Sequence, residues 1–251
     1  MKMEQMAALR FGKHPPKVDY RSLKFKTYLK SKLAAPPAAY DVLTQVYAKL
    51  KISNPATLFP MDGNDTLGDC TCAALAHAVT TYRGLLGTKT IMPQAAVVKL
   101  YYHLTGGVDS GCNELDVLNY WRQNVVGGDK ILGYATINPK NHVHVQQAIQ
   151  LFGGVYLGFQ VQQNAVQEFQ AGQPWTPGPL TADGHAVYAV AYDANELTVL
   201  TWGNIQKATW AWWDECVDEA YAILPPEAAK PGFSPGWDYA QLKADLATVA
   251  N

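Results

Sequence analysis

No stretch of this chain says more about its architecture than Asn64-Asp65-Thr66-Leu67-Gly68-Asp69-Cys70-Thr71-Cys72-Ala73-Ala74-Leu75-Ala76-His77. Gly63, Asn64, Asp65, Gly68 and Asp69 are turn formers, so the chain reverses here. Beyond them Ala73, Ala74, Leu75, Ala76, Val79, Tyr82 and Leu86 give an apolar face of mostly small residues at helical spacing, and Gly87 stops it. Asp69 takes the N-cap position and Cys70 the first helical one. A thiol at a helix N-terminus sits beside unpaired backbone N–H groups and the positive end of the dipole, both of which favour the nucleophilic thiolate. Asp69 opposes that shift, and an imidazolium brought near by the fold would outweigh it. Cys72, two residues on, faces away from Cys70 and belongs to the core.

A second stretch answers the first. Asp183-Gly184-His185-Ala186-Val187-Tyr188-Ala189-Val190-Ala191-Tyr192-Asp193 places a histidine at the start of an apolar strand. After a turn at Asp193-Ala194-Asn195, Leu197-Thr198-Val199-Leu200-Thr201-Trp202-Gly203 forms the returning strand. A cysteine at a helix start with a histidine far downstream on a strand is an arrangement for nucleophilic catalysis. It resembles the papain-like cysteine peptidase superfamily, whose members carry a Gln six residues before a Gly-x-Cys helix start, a Gly-His-Ala-Val strand and an Asn-Ser-Trp-Gly strand end. Here Asn64 stands six before Cys70. Gly68-Asp69-Cys70, Gly184-His185-Ala186-Val187 and Thr201-Trp202-Gly203 follow in the same order.

The resemblance implies an α+β fold with a helical half, an antiparallel β half and a cleft between them. It also implies catalytic roles for Cys70 as nucleophile, His185 as general base and Asn64 as oxyanion donor. Trp202, Gly184 and Asp69 are then expected on the substrate-binding side. The chain departs from the pattern where a third catalytic Asn would stand, which is Leu200 if Trp202-Gly203 anchors the alignment. Alternation puts Thr198, Leu200 and Trp202 on one face, so Leu200 is expected to point at the histidine. A bulge that turns the Thr201 hydroxyl inward, or Asn204 beyond Gly203, would replace it.

Composition bounds the rest. With 251 residues, 48% hydrophobic and 16% charged, the chain is long enough for a sizeable core. A net charge of -1 gives no long-range attraction to nucleic acid or to an anionic membrane. No run is apolar for long enough to span a bilayer. Met1-Lys2-Met3-Glu4-Gln5-Met6 lacks the apolar core of a signal peptide, so a cytoplasmic location is expected, or a virus particle if the gene is phage-borne. Secreted papain relatives usually bridge a Cys three residues before the nucleophile; Leu67 stands there, and Cys70, Cys72, Cys112 and Cys216 read as free thiols.

Three segments are expected: an arm over residues 1–55, a papain-like domain over 56–226 and a tail over 227–251. Pro15-Pro16 and Pro36-Pro37 interrupt regular structure in the arm, and 40–50 has a helical apolar pattern. The arm reads as a wrap over the surface or as an inhibitory pro-segment, without an evident cleavage signal. Residues 23–33 read as a short strand or peripheral helix. Helices are expected at 93–104, 113–124, 141–152 and 239–249, strands at 131–137, 155–161 and 219–224, a short turn or helix at 209–216, and a long loop at 162–180.

Each candidate has a plain reading beside the chemical one. Most free cysteines are small buried hydrophobes. Asn64 is a good turn residue, Trp202 a good core residue, and His77 and His103 lie within helices. His142-x-His144 suits a solvated helix start better than a metal, and Cys70-x-Cys72 is too close for a structural zinc pair. No cofactor or metal is expected. The functions that follow are a cysteine hydrolase, peptidase or amidase, acting on a peptide or protein substrate through an acyl-thioester. The alternative is a papain-like domain with weak or no catalysis that binds a partner in an assembly such as a virus particle.

Overall fold

The apolar face that begins at residue 70 becomes a helix buried on all sides. In a computed structural model, which describes residues 9–30, 33–53 and 57–249, this helix is α2 (Cys70–Leu85). Every residue from Cys70 to Thr81 is buried. A helix so enclosed needs a thin cross-section, and Ala73, Ala74, Ala76 and Ala78 supply it. Helices α1 (Val42–Leu50), α3 (Gln94–Thr105) and α4 (Glu114–Gln123) pack around it on the helical side. At Gly84 a Cβ would lie 2.6 Å from Val46 Cγ1, so the α1–α2 approach depends on that glycine.

The sheet covers the other side of α2. Its strands are β1 (Leu23–Lys24), β2 (Tyr40–Asp41), β3 (Gly133–Thr136), β4 (Val155–Gln162), β5 (Leu180–Tyr192), β6 (Glu196–Thr201), β7 (Asn204–Thr209) and β8 (Val217–Leu224). The order is β1-β3-β8-β4-β5-β6-β7, with β2 added on β5. All pairs are antiparallel except β1 on β3. Strand β5, Val- and Ala-rich, lies against α2, and Tyr156 of β4 ties the halves by donating its hydroxyl to Thr71 O at 2.8 Å. Helices α5 (His142–Phe152), α6 (Ala165–Gln170), α7 (Trp210–Cys216) and α8 (Tyr239–Val249) complete the described chain. This is the α+β arrangement expected from the sequence, with a helical half and an antiparallel half.

Three local expectations change. The stretch 162–180 is not one loop, since α6 forms inside it and Trp175 folds inward to 0% exposure, donating Nε1 to Ala165 O at 2.9 Å. The returning strand stops at Thr201, because Trp202 and Gly203 adopt φ of +46° and +70° and make the two-residue hairpin turn into β7. Both central residues of such a turn need positive φ, which glycine supplies freely and tryptophan only under constraint. Residues 23–33 become β1 followed by a 3₁₀ turn, Phe25–Tyr28, while Ser31 and Lys32 lie outside the described residues. Met1 to Met6, on which the signal-peptide expectation rested, also lie outside them.

Candidate active site

Cys70 opens α2 and is 1% exposed. The carbonyl of Asp69 accepts from the N–H groups of Cys72 and Ala73 at 2.8 and 3.0 Å, so Asp69 holds the N-cap position, but its side chain makes no capping bond. Across from this helix start, β5 presents His185, paired in register with Phe159 of β4. The N–H of Ala186, one residue beyond the histidine, faces Cys70 Sγ. The Cys70 helix packs against the strand that carries His185.

The imidazole is held on several sides. Its Nε2 lies 2.7 Å from Thr201 Oγ1. Trp202 stacks on it at 4.3 Å between centroids and 22° between planes, and Phe159 meets it edge-on at 5.6 Å. Its Nδ1 has no hydrogen-bond partner among the described residues. The group beside Nε2 is thus a hydroxyl, neither a carboxamide nor Leu200. Strict alternation fails here because the turn at Trp202 twists the strand end. That twist lays the indole over the ring and directs Thr201 to it. The Asn204 side chain is spent locally, accepting from Ile205 N at 2.8 Å.

The N-terminal arm runs directly across this pair. Phe11 packs edge-on against His185 at 5.7 Å. Gly12 and Lys13 donate their N–H groups to Gly184 O at 3.2 and 3.0 Å, and Cys112 donates to Gly12 O at 2.8 Å. The Gly12 N–H also pulls the Cys70 thiol pKa down. The Gly12 carbonyl is engaged by Cys112. At Gly12 a Cβ would fall 1.9 Å from Gly68 O, so only glycine passes. Asn64 donates Nδ2 to Arg10 O at 3.2 Å and to Leu67 O at 3.0 Å, and Trp202 Nε1 reaches the same Arg10 carbonyl at 3.4 Å. Cavities of about 580 and 760 Å³ open elsewhere and are lined by neither Cys70 nor His185.

This enclosure reverses the expected electrostatics of the thiol. A helix N-terminus contributes ~0.3–1 kcal/mol, less than one pKa unit. Burial pushes the Cys70 thiol from its ordinary 9.0 up to about 12, against the opposing pull of the Ala186 N–H; the Asp69 carboxylate adds to the rise and the Gly12 N–H to the pull. His185 is driven down to about 3, first by burial and second by the nearby His77. At neutral pH the Cys70 thiol and the His185 imidazole are both in their neutral forms. Burial also lifts the Asp69 carboxyl to about 8 and that of Asp62 to about 7. Asp69 is 0% exposed with Oδ2 tucked beneath Gly63, where an added Cβ would lie 2.8 Å away. It sits against the turn at Gly63, and neither of its carboxyl oxygens has a hydrogen-bond partner among the described residues. Gly184 and Trp202 contact the arm.

No protein-family model and no curated protein matches this sequence. Solved structures do. Xylellain, a cysteine protease from Xylella fastidiosa, superposes with a TM-score of 0.65 over 90% of this chain and 99% of its own, at 18% identity. The digestive procathepsin L2 proteinase of Tenebrio molitor larval midgut gives 0.61 over 89% and 81%, at 14%. The cysteine protease and lectin-like domains of Cwp84 from Clostridium difficile give 0.56 over 88% and 56%, at 16%. The fold is papain-like. At these identities the likeness carries the fold alone, and the roles of individual side chains rest on the geometry above.

Within this papain-like fold, Phe11 and Gly12 were not singled out as site residues in the sequence, whereas the inward-turned Thr201 hydroxyl was one of the alternatives to Leu200. Thr201 carries a prediction. Removal of its hydroxyl leaves Nε2 unpaired and the ring orientation set by stacking alone. In any form whose cleft is open, Thr201→Val is expected to lower kcat about 10- to 10²-fold at unchanged KM, with Thr201→Ser restoring it. A kcat that Thr201→Val leaves untouched assigns the threonine to packing.

Proposed function

We propose that this chain is a cysteine peptidase held latent by its own N-terminal arm. What supports the reading is that the arm at Phe11 and Gly12 lies on the strand beside His185, and that the helix opened by Cys70 packs on that strand. In the open form His185 would take the proton of Cys70. The thiolate would add to a substrate carbonyl, and the negative oxygen would meet the Cys70 N–H and Asn64 Nδ2. His185 would return the proton to the departing amine, leaving an acyl-thioester for water to cleave. That Asn64 already donates to a backbone carbonyl, Arg10 O, supports its place in this scheme.

The alternative is a binding or structural domain with weak or no catalysis. It is favoured by the absence of a carboxamide beside His185 and by the complete burial of the pair. Incubation of the full chain with an unfolded protein substrate, followed by mass mapping of new termini, separates the two. New termini that vanish in Cys70→Ala support the peptidase. Their absence in the wild type and in an arm-displaced variant supports the binding domain. In an active form, Asn64→Ala is expected to lower turnover by roughly 10²–10³ with little change in KM. Wild-type turnover in that variant returns Asn64 to a turn residue.

A further inference from the structure

The arm does more than cover the site, because one of its side chains is buried in a place made for it. Lys13 is 5% exposed, with its ammonium 2.9 Å from Asp218 Oδ1, 3.0 Å from Asp218 Oδ2, 3.1 Å from Glu219 Oε1 and 3.2 Å from His14 O. Tyr221 donates its hydroxyl to the other oxygen of Glu219 at 2.7 Å. Glu114, at the head of α4, is 0% exposed, and neither of its carboxyl oxygens has a hydrogen-bond partner among the described residues. The floor is Gly158, where a Cβ would fall 1.9 Å from Lys13 Cε and 3.0 Å from Glu114 Oε1. Asp218 and Glu219 also border a cavity of about 580 Å³.

Three carboxyl groups from two separate elements gathered around a glycine floor are costly to bury unless a cation joins them. Burial first, and then the charge of Glu219, push the Glu114 carboxyl well above the usual range, and Asp218 and Glu219 face the ammonium. Burial works to lower the Lys13 pKa, but Glu219, Glu114 and Asp218 together raise it, so the lysine stays charged. The pocket lies one residue along the arm from Gly12, whose N–H acts on the Cys70 thiol. Whatever peptide replaces the arm would place a side chain there.

We propose that Glu114, Asp218, Glu219 and Gly158 form the specificity pocket of the enzyme, one that takes a lysine or arginine side chain of the substrate, and that Lys13 of the arm occupies it in the latent form. This rests on the peptidase reading for its substrate, and on the arm alone for the pocket. The test uses the full chain with Lys13→Glu to repel the arm. Peptidyl chloromethyl ketones carry lysine, norleucine or glutamate, in two series with the varied residue first or second from the reactive carbon.

In one series the lysine probe is expected to modify Cys70 at least about tenfold faster than the norleucine probe. Glu114→Gln with Glu219→Gln should remove that preference. Equal rates, or a faster norleucine probe in both series, would overturn the pocket. If no peptidyl probe reacts while iodoacetamide does, the peptidase reading fails and the pocket is judged by protection. A synthetic peptide of residues 9–17 should slow alkylation of Cys70 in Lys13→Glu, and the same peptide with norleucine at position 13 should need at least about ten times the concentration. Equal protection by the two peptides would likewise overturn it.

Discussion

Gly12→Val is expected to accelerate iodoacetamide alkylation of Cys70 by about 10². The branched side chain has no room, since even its Cβ would fall 1.9 Å from Gly68 O, so the arm must leave the cleft near Cys70. Burial is the leading cause of the thiol's rise to about 12, and that cause goes with the arm. A return toward an ordinary pKa of ~8.5 raises the thiolate fraction at neutral pH by ~10³. Part of this is lost because a less basic thiolate is a weaker nucleophile, with a Brønsted slope of ~0.4–0.5. The remaining rise is far above any change at Cys72 or Cys216, which are buried in the core and should keep their rates, whereas Cys112, paired with Gly12 and His14 of the arm, changes with it. Site-resolved mass spectrometry reads the four rates in one experiment. Near-UV circular dichroism shows whether the variant keeps its tertiary packing, and Lys13→Glu offers a second route to displacement. Unchanged Cys70 labelling in both folded variants means that the arm does not protect the thiol.

The second large effect concerns His185. In the Gly12→Val background, His185→Ala is expected to lower peptide turnover by roughly 10⁴, because the variant loses both the base that generates the thiolate and the acid that protonates the leaving amine. Cys70 alkylation should fall by a smaller factor, since thiolate formation alone does not need proton return. The two readouts therefore separate a catalytic histidine from one that merely fills space under Trp202. A His185→Ala protein that turns over peptide as fast as its parent would remove the histidine from the reaction. The pH profile has a stated sign. His185 is neutral in the closed form down to about 3, so acid does not charge it there. Once the arm is displaced and burial relieved, its pKa should rise toward the ordinary imidazole range, and the acid limb of the activity profile should move up with it.

The helical half was legible in the sequence because its signals are local. Turn formers before Cys70, small residues after it and Gly87 at the end locate α2 within a residue. The His185 strand was legible for the same reason, as an unbroken apolar run. Elements that depend on tertiary contacts were not. Helix α6 has six residues and is held by its surroundings, with Trp175 donating to Ala165 O. The hairpin at Trp202-Gly203 was hidden because tryptophan seldom takes positive φ, and here stacking against His185 sustains it. Thr201 as the neighbour of Nε2 was legible only as an alternative to Leu200 and Asn204.

The arm was the hardest part. Phe11-Gly12-Lys13-His14 has no periodicity, and its placement comes from long-range bonds to Asn64, Cys112 and Gly184. Glu114 looks like an ordinary acidic residue in a first helical turn, and Glu219 like a polar residue on a strand. Only the fold sets them around Lys13.

The most direct measurement of the central claim is labelling of the Gly12→Val protein with a lysine-containing peptidyl chloromethyl ketone, followed by mass mapping of the adduct. The account predicts a single adduct on Cys70, formed more slowly in the wild type and in His185→Ala. Adducts spread over Cys72, Cys112 and Cys216, or no adduct at Cys70 in a folded Gly12→Val protein, would contradict it.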